Sequence, residues 1–224
     1  MNGLWFLALL ILVAGLPVIP AWFAFRLRKL DGRLFLLSLA AGLLSVPAAV
    51  FLQSFFPPAG SGRGAVMFGV FIRIALVEEL SRLLTLFPLS GFAGRPLPGG
   101  KIPPACGGSP RDMGAMTGFA AGLGFAAAES GFYGSSDIGI ALLRVFTAAP
   151  LHGACGARAG AALSLVRQHP IRSASLFVSA VLIHGIYDLF IISPGLPSFL
   201  SILIALAALG SSLLALYHGS VTPQ

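Results

Sequence analysis

Apolar residues run along this chain in stretches far longer than a soluble helix buries, and polar residues collect in short clusters between them. A membrane-crossing helix takes about 20 apolar residues, and seven segments meet that length: Gly3–Phe25, Leu34–Phe56, Ala65–Phe92, Met113–Tyr133, Ile138–Val166, Ala174–Ile192 and Leu196–Tyr217. Their polarity does not alternate residue by residue, as barrel strands require, so the pattern predicts helices. The interruptions carry turn chemistry: Asp31-Gly32, Pro57-Pro58 followed by Gly60 and Gly62, Gly99-Gly100 with Pro103-Pro104, Gly134 to Asp137, His169-Pro170, and Ser193-Pro194-Gly195. The predicted fold is an all-α integral membrane protein, a seven transmembrane helix bundle, with residues 1–224 as a single transmembrane domain. The first segment has no basic stretch ahead of it and no small-residue cleavage site before Arg26, the pattern of a retained helix and not of a cleaved signal peptide.

Composition leaves little room for another class. Hydrophobic residues make up 57% of the chain and charged residues 9%, against about 25% charged in soluble domains. The net charge of +7 does not point to nucleic acid, because the cations lie mostly in short loops where they orient the chain. The first, third and fifth loops hold Arg26, Arg28, Lys29, Arg33, Arg95, Lys101, Arg111, Arg167 and Arg172; the other three hold only Arg63. The N-terminus is therefore expected outside and the C-terminus in the cytoplasm. Cys106 falls in a loop and Cys155 in an apolar segment, so no disulfide between them is expected.

Against this background the ionisable residues inside the apolar segments stand out, since a charge at bilayer depth costs about 2.5–3.5 kcal/mol even on insertion scales. They are Arg73, Glu78, Glu79, Arg82, Glu129, Arg144, His152, Arg158, His184 and Asp188. All fall in the third to sixth segments, which makes residues 65–192 the approximate catalytic core and the outer segments a scaffold. Glu78 and Glu79 both lie within one helical turn of Arg82. One carboxylate can pair with the guanidinium, and the other, beside a low-dielectric cavity, is a candidate general base. His184 and Asp188 are also one turn apart, the spacing at which a carboxylate orients an imidazole. Glu129, His152 and His184 together form a ligand set suited to catalytic zinc with a fourth position for water, and a spare glutamate beside that water would be its base. Glycine and alanine recur every fourth residue at Gly114, Gly118, Gly122 and Ala126, and at Gly156 and Gly160, the spacing of closely approaching membrane helices. These stripes lead to Glu129 and His152, so both side chains are expected to face into the bundle. Along their helices these groups sit in the outer half or at mid-depth, with Glu129 nearest the outer surface, and one outward-opening pocket is expected to collect them.

Taken in order, Glu78-Glu79-Leu80-Ser81-Arg82, Phe125 to Glu129, His152, and His184 with Asp188 resemble the motifs of the PrsW family of bacterial intramembrane proteases, related to the CAAX-protease and bacteriocin-processing group. The resemblance covers roughly Arg73 to Ile192. Arg82 stands where that family commonly has Lys, and Ser130 where it has Asn. The resemblance implies an inner-membrane endopeptidase of a bacterium that cleaves a single-pass membrane protein, typically an anti-sigma factor, near the extracytoplasmic face. On this reading Glu78 or Glu79 deprotonates water, the other pairs with Arg82, Asp188 orients His184, and Glu129, His152 and His184 hold zinc. A metal-free variant with the histidines as oxyanion donors stays open, as does which glutamate is the base. The partners expected are the substrate and the lipid bilayer. A small ion-coupled transporter is the competing class, since intramembrane acids and histidines also mark ion paths; no internal repeat of the kind transporters carry is evident. An inactive scaffold or immunity protein is the third.

Overall fold

Three of the seven acidic residues start helices. In the computed structural model, which describes residues 3–27, 31–57, 60, 62–90, 109–193 and 195–221, Asp31 Oδ1 accepts from Arg33 N at 2.9 Å and Asp137 Oδ1 from Gly139 N at 2.8 Å. Asp112 completes a capping box with Ser109, so that the otherwise orphaned first N–H groups are satisfied. These three caps start α3, α6 and α7 among the helices α1 (Gly3–Gly15), α2 (Val18–Leu27), α3 (Gly32–Gln53), α4 (Arg63–Phe68), α5 (Val77–Ser90), α6 (Pro110–Tyr133), α7 (Ile138–Phe146), α8 (Ala148–Leu165), α9 (Pro170–Ile192) and α10 (Phe199–Val221). Among the described residues there is no strand.

Each apolar segment of the sequence folds as one helix or as a broken one. The first breaks between α1 and α2, bent by 40°; Pro17 lacks the N–H that would carry the ladder on. The fifth, expected as one helix, breaks between α7 and α8, bent by 46°, and Pro150 withdraws the N–H that would have bonded Phe146. The third runs from α4 through a π-helical stretch, Gly69–Leu76, into α5. By length and apolarity alone, α3 and α9 qualify as membrane spans, and up to four spans qualify if each bent pair counts as one. Large apolar side chains such as Leu4, Ile171 and Phe132 are exposed around the outside. For a protein with this composition that exterior is a lipid-facing surface. Most of the Ala93–Asp112 loop, Cys106 and the side chain of His218 lie outside the described residues.

At the centre is α8, which packs on α5, α6, α7, α9 and α10. Its contact with α6 is the tightest, and glycine is the reason. A Cβ on Gly118 would fall on the carbonyl oxygen of Gly156, one on Gly122 on that of His152, and one on Gly160 on that of Gly114. The two small-residue stripes therefore face each other backbone to backbone, and Gly122 sets His152 against α6. Aromatic packing closes the other side of α6: Phe35 of α3 meets Trp22 and Phe25 edge-on at 5.2 and 5.1 Å, over Ala120, Leu123 and Ala126. Gly118→Leu is expected to lower stability in detergent micelles by about 3 kcal/mol or more through backbone displacement. Gly210→Ala, where a Cβ meets nothing within 4 Å, is expected to leave the unfolding midpoint unchanged or slightly raised.

Candidate metal centre and catalytic site

The other four acidic residues, Glu78, Glu79, Glu129 and Asp188, converge on one cluster between α5, α6, α7, α8 and α9, and they do so in two tiers. The inner tier is Glu79, Arg82, His152 and His184, whose side chains are 0–2% exposed. The outer tier is Glu78, Glu129, Arg144 and Asp188, at 10–19%. A cluster graded in this way has a sealed floor and an accessible edge.

In the floor, Arg82 Nη1 donates to both carboxylate oxygens of Glu79 at 2.6 Å. Its Nη2 faces His152 Nδ1 at 3.3 Å, and its guanidinium carbon lies 4.7 Å from the ring centre of Phe125. The His152 and His184 rings meet edge-on, 4.9 Å apart. Glu79 Oε1 also accepts from His184 Nδ1 at 2.9 Å. Both oxygens of Glu79 are thus committed, and the buried pair ties α5 to α9 through His184 and to α8 through the contact of Arg82 with His152.

These contacts fix the hydrogens. Arginine only donates, so the His152 nitrogen facing Arg82 carries the lone pair, and Nε2–H donates to Glu129 Oε2 at 2.8 Å. His184 differs: Nδ1–H goes to Glu79, and Nε2 faces two more carboxylate oxygens, Glu78 Oε2 at 3.5 Å and Asp188 Oδ2 at 3.4 Å, which places it as a donor too. The two histidines, 4.9 Å apart, are therefore each oriented by a partner on α5: His152 accepts from Arg82 and His184 donates to Glu79.

Glu78 is the group left over. Its Oε1 receives a long hydrogen bond of 3.4 Å from Gln53 of α3, while its buried Oε2 has no hydrogen-bond partner. An orphaned carboxylate oxygen inside a protein is costly unless something occupies its coordination space. Among the described residues, Glu78, His152 and His184 form a group able to hold a metal ion, each offering one ligand atom within 4.8 Å of the others. Two histidines and a carboxylate suit zinc with an open fourth position.

A family model described as PrsW family intramembrane metalloprotease matches residues 32–212. The chain belongs to the PrsW family. No curated protein and no solved structure matches it.

In this PrsW protein Glu78, Glu79, Arg82, Glu129, His152, His184 and Asp188 all enter the one cluster. His152 and His184 sit in the metal-capable group, but the carboxylate beside them there is Glu78, where the sequence pointed to Glu129. Glu129 is drawn to the edge by Arg144 Nη2, 2.5 Å away, and Arg144 in turn lies over Tyr133 at 4.7 Å. Asp188 lies on the Nε2 side of His184; the carboxylate on Nδ1 is Glu79. Cys155 is buried and donates to Ala180 O at 3.5 Å, the packing role expected of a small buried thiol. Sequence reasoning missed Gln53, because it took the outer helices as scaffold on the ground that they hold no ionisable residue. An amide at the end of a long apolar helix was the available signal.

Proposed function

We propose that this PrsW protein is an endopeptidase that hydrolyses a peptide bond of a single-pass membrane protein, with Glu78 as the carboxylate at the reaction centre. The observation that carries this is the contrast between two adjacent glutamates: Glu79 has both oxygens committed, whereas Glu78 has a buried oxygen with no hydrogen bond beside two histidines. The division of labour follows. Glu79 and Arg82 neutralise each other and aim His184. Glu78 acts at the substrate. His152, pinned by Arg82, presents Nε2–H toward the outer tier. Arg144, whose buried Nε has no hydrogen-bond partner, is available to a substrate backbone carbonyl.

The residues that would hold a metal are Glu78, His152 and His184, and zinc is the ion their chemistry suits. When bound, zinc supplies Lewis acidity to the scissile carbonyl and to water. Glu129 and Asp188, the other two carboxylates on the accessible side, are the groups that would take up a proton from water, Glu129 while paired with Arg144 and His152. A specific observation supports a second, metal-free form. The Arg82–His152 hydrogen bond places the hydrogen on Nε2, and a protonated nitrogen donates to an oxyanion but does not ligate. In that form Glu78 Oε2 itself takes the proton of water, and His152 Nε2–H and His184 stabilise the developing oxyanion.

The two forms separate by metal analysis of the purified protein. About one zinc per chain is expected, lost in the His152→Ala/His184→Ala double variant. Full cleavage by protein stripped of metal by a chelator would establish the second form.

The topology we propose is seven spans with the N-terminus outside, resting on the charge asymmetry of the loops, in the inner membrane of a bacterium. Residues 1–224 form one transmembrane domain with the catalytic core at about 65–192. The accessible edge then opens toward the extracytoplasmic half, where the stalk of an anchored regulator such as an anti-sigma factor would enter.

A further inference from the structure

At the opposite end of α6 and α8 lies a second polar feature that the protease reading does not use. Arg158 stands six residues beyond His152 on α8, about 9 Å along the axis. Its Nη1 donates to Ala154 O at 3.0 Å, to Ala208 O at 3.4 Å and to Ser212 Oγ at 2.6 Å, and its Nη2 to Ser211 Oγ at 2.7 Å. The two hydroxyls are themselves anchored, Ser211 on Ala208 O and Ser212 on Ala154 O. The guanidinium is therefore held rigidly by neutral acceptors. Among the described residues, which include all seven acids, no carboxylate forms an ion pair with it. A cation within a hydrophobic bundle normally finds a counter-charge; here four acids serve the catalytic cluster and three start helices.

A cavity of about 140 Å³ opens beside it. Arg111, Asp112, Ser211 and Ser212 line it with Arg158, and alanines and Leu176 complete the wall. Asp112 is the one acid present, and its Oδ2 already accepts from Ser109 N at 3.2 Å. Two guanidinium groups over an apolar wall recognise an anion with a hydrophobic body, and the two serines, whose hydrogens are spent on backbone carbonyls, hold Arg158 in place for it.

We propose that this cavity binds a phosphate group, bidentate on Arg158 with Arg111 at its mouth, supplied by an acidic phospholipid or by free phosphate. The site is independent of the catalytic cluster and does not rest on the protease assignment.

The test is thermal unfolding of the full chain in neutral detergent with three probes: short-chain phosphatidylglycerol, short-chain phosphatidylcholine and inorganic phosphate. Phosphatidylglycerol at ten times its dissociation constant is expected to raise the midpoint by about 3–6 °C. The shift should vanish in Arg158→Gln and survive in Arg167→Gln, an exposed arginine outside the cavity. An Arg158-dependent shift with inorganic phosphate as well assigns the site to the free anion; a shift with phosphatidylglycerol alone assigns it to lipid. If Arg158→Gln does not fold, Arg111→Gln and Ser211→Ala/Ser212→Ala carry the test, each expected to weaken binding at least tenfold. No shift with either anion, an equal shift with phosphatidylcholine, or equal loss in Arg167→Gln overturns the proposal.

Discussion

Glu78→Gln is expected to cut the rate of cleavage of a single-pass reporter in proteoliposomes by a factor of about 10²–10⁴, the range for loss of a positioned acid–base group, while leaving the unfolding midpoint close to that of the unaltered protein. The substitution keeps the volume and the oxygen that faces Gln53, and it removes a buried charge that has no hydrogen bond on one side. The ion pair it gives up is a long one, 3.5 Å to His184 Nε2 at the accessible edge of the cluster. Glu79→Gln is expected to differ in kind: cleavage falls because the protein is less stable and a single amide oxygen is left for Arg82 and His184 to share. Wild-type cleavage by Glu78→Gln, with a stable but inactive Glu79→Gln, would reverse the two roles.

The second large effect is at Arg82, the largest of the fully buried side chains. Arg82→Met leaves Glu79 ionised and unpaired within a closed floor, a change that costs about 3–5 kcal/mol when one partner of a buried pair is removed. Glu79→Gln alone is expected to cost a similar amount, because it strands the guanidinium. The double variant Arg82→Met/Glu79→Gln should recover much of the loss, since no buried charge is left uncompensated. A double-mutant cycle read by unfolding in detergent measures the coupling. Strictly additive losses would mean that Arg82 acts through His152 and Phe125 and not through Glu79.

Several of these arrangements are written in the sequence. The length of the apolar runs, the scarcity of charge and the four-residue glycine spacing give an all-helical membrane protein with close α6–α8 packing. The convergence of Glu78, Glu79, Glu129, His152, His184 and Asp188 is foreshadowed by their isolation among apolar neighbours, because a charge in such surroundings must meet others. The pairing within the cluster is not legible, and the reason is angular. Helical spacing leaves Arg82 within reach of both glutamates and leaves Asp188 beside His184; the choice falls to where α8 and α9 sit. Arg144 reaches Glu129 from α7, on the far side of a bend whose cause, Pro150, is visible but whose direction is not. Gln53 is not legible as a site residue, because an uncharged side chain carries no energetic anomaly at the end of an apolar helix.

The π-helical stretch Gly69–Leu76 bears on how such a cluster is kept in alignment. In a regular helix every residue turns the chain by about 100°, so the face a helix shows to lipid dictates the face its next turns show to the interior. Wider i to i+5 turns placed immediately before Val77 break that dependence. Upstream of the stretch, the rod is clocked by its apolar surroundings; downstream, the two carboxylates are clocked by Arg82, His152 and His184. Deleting one residue between Gly69 and Leu76 would tighten the coil toward ordinary α geometry at little cost to the downstream phase. Deleting Leu80 or Ser81 instead would swing every later turn by about 100° and carry Arg82 off the face of Glu79.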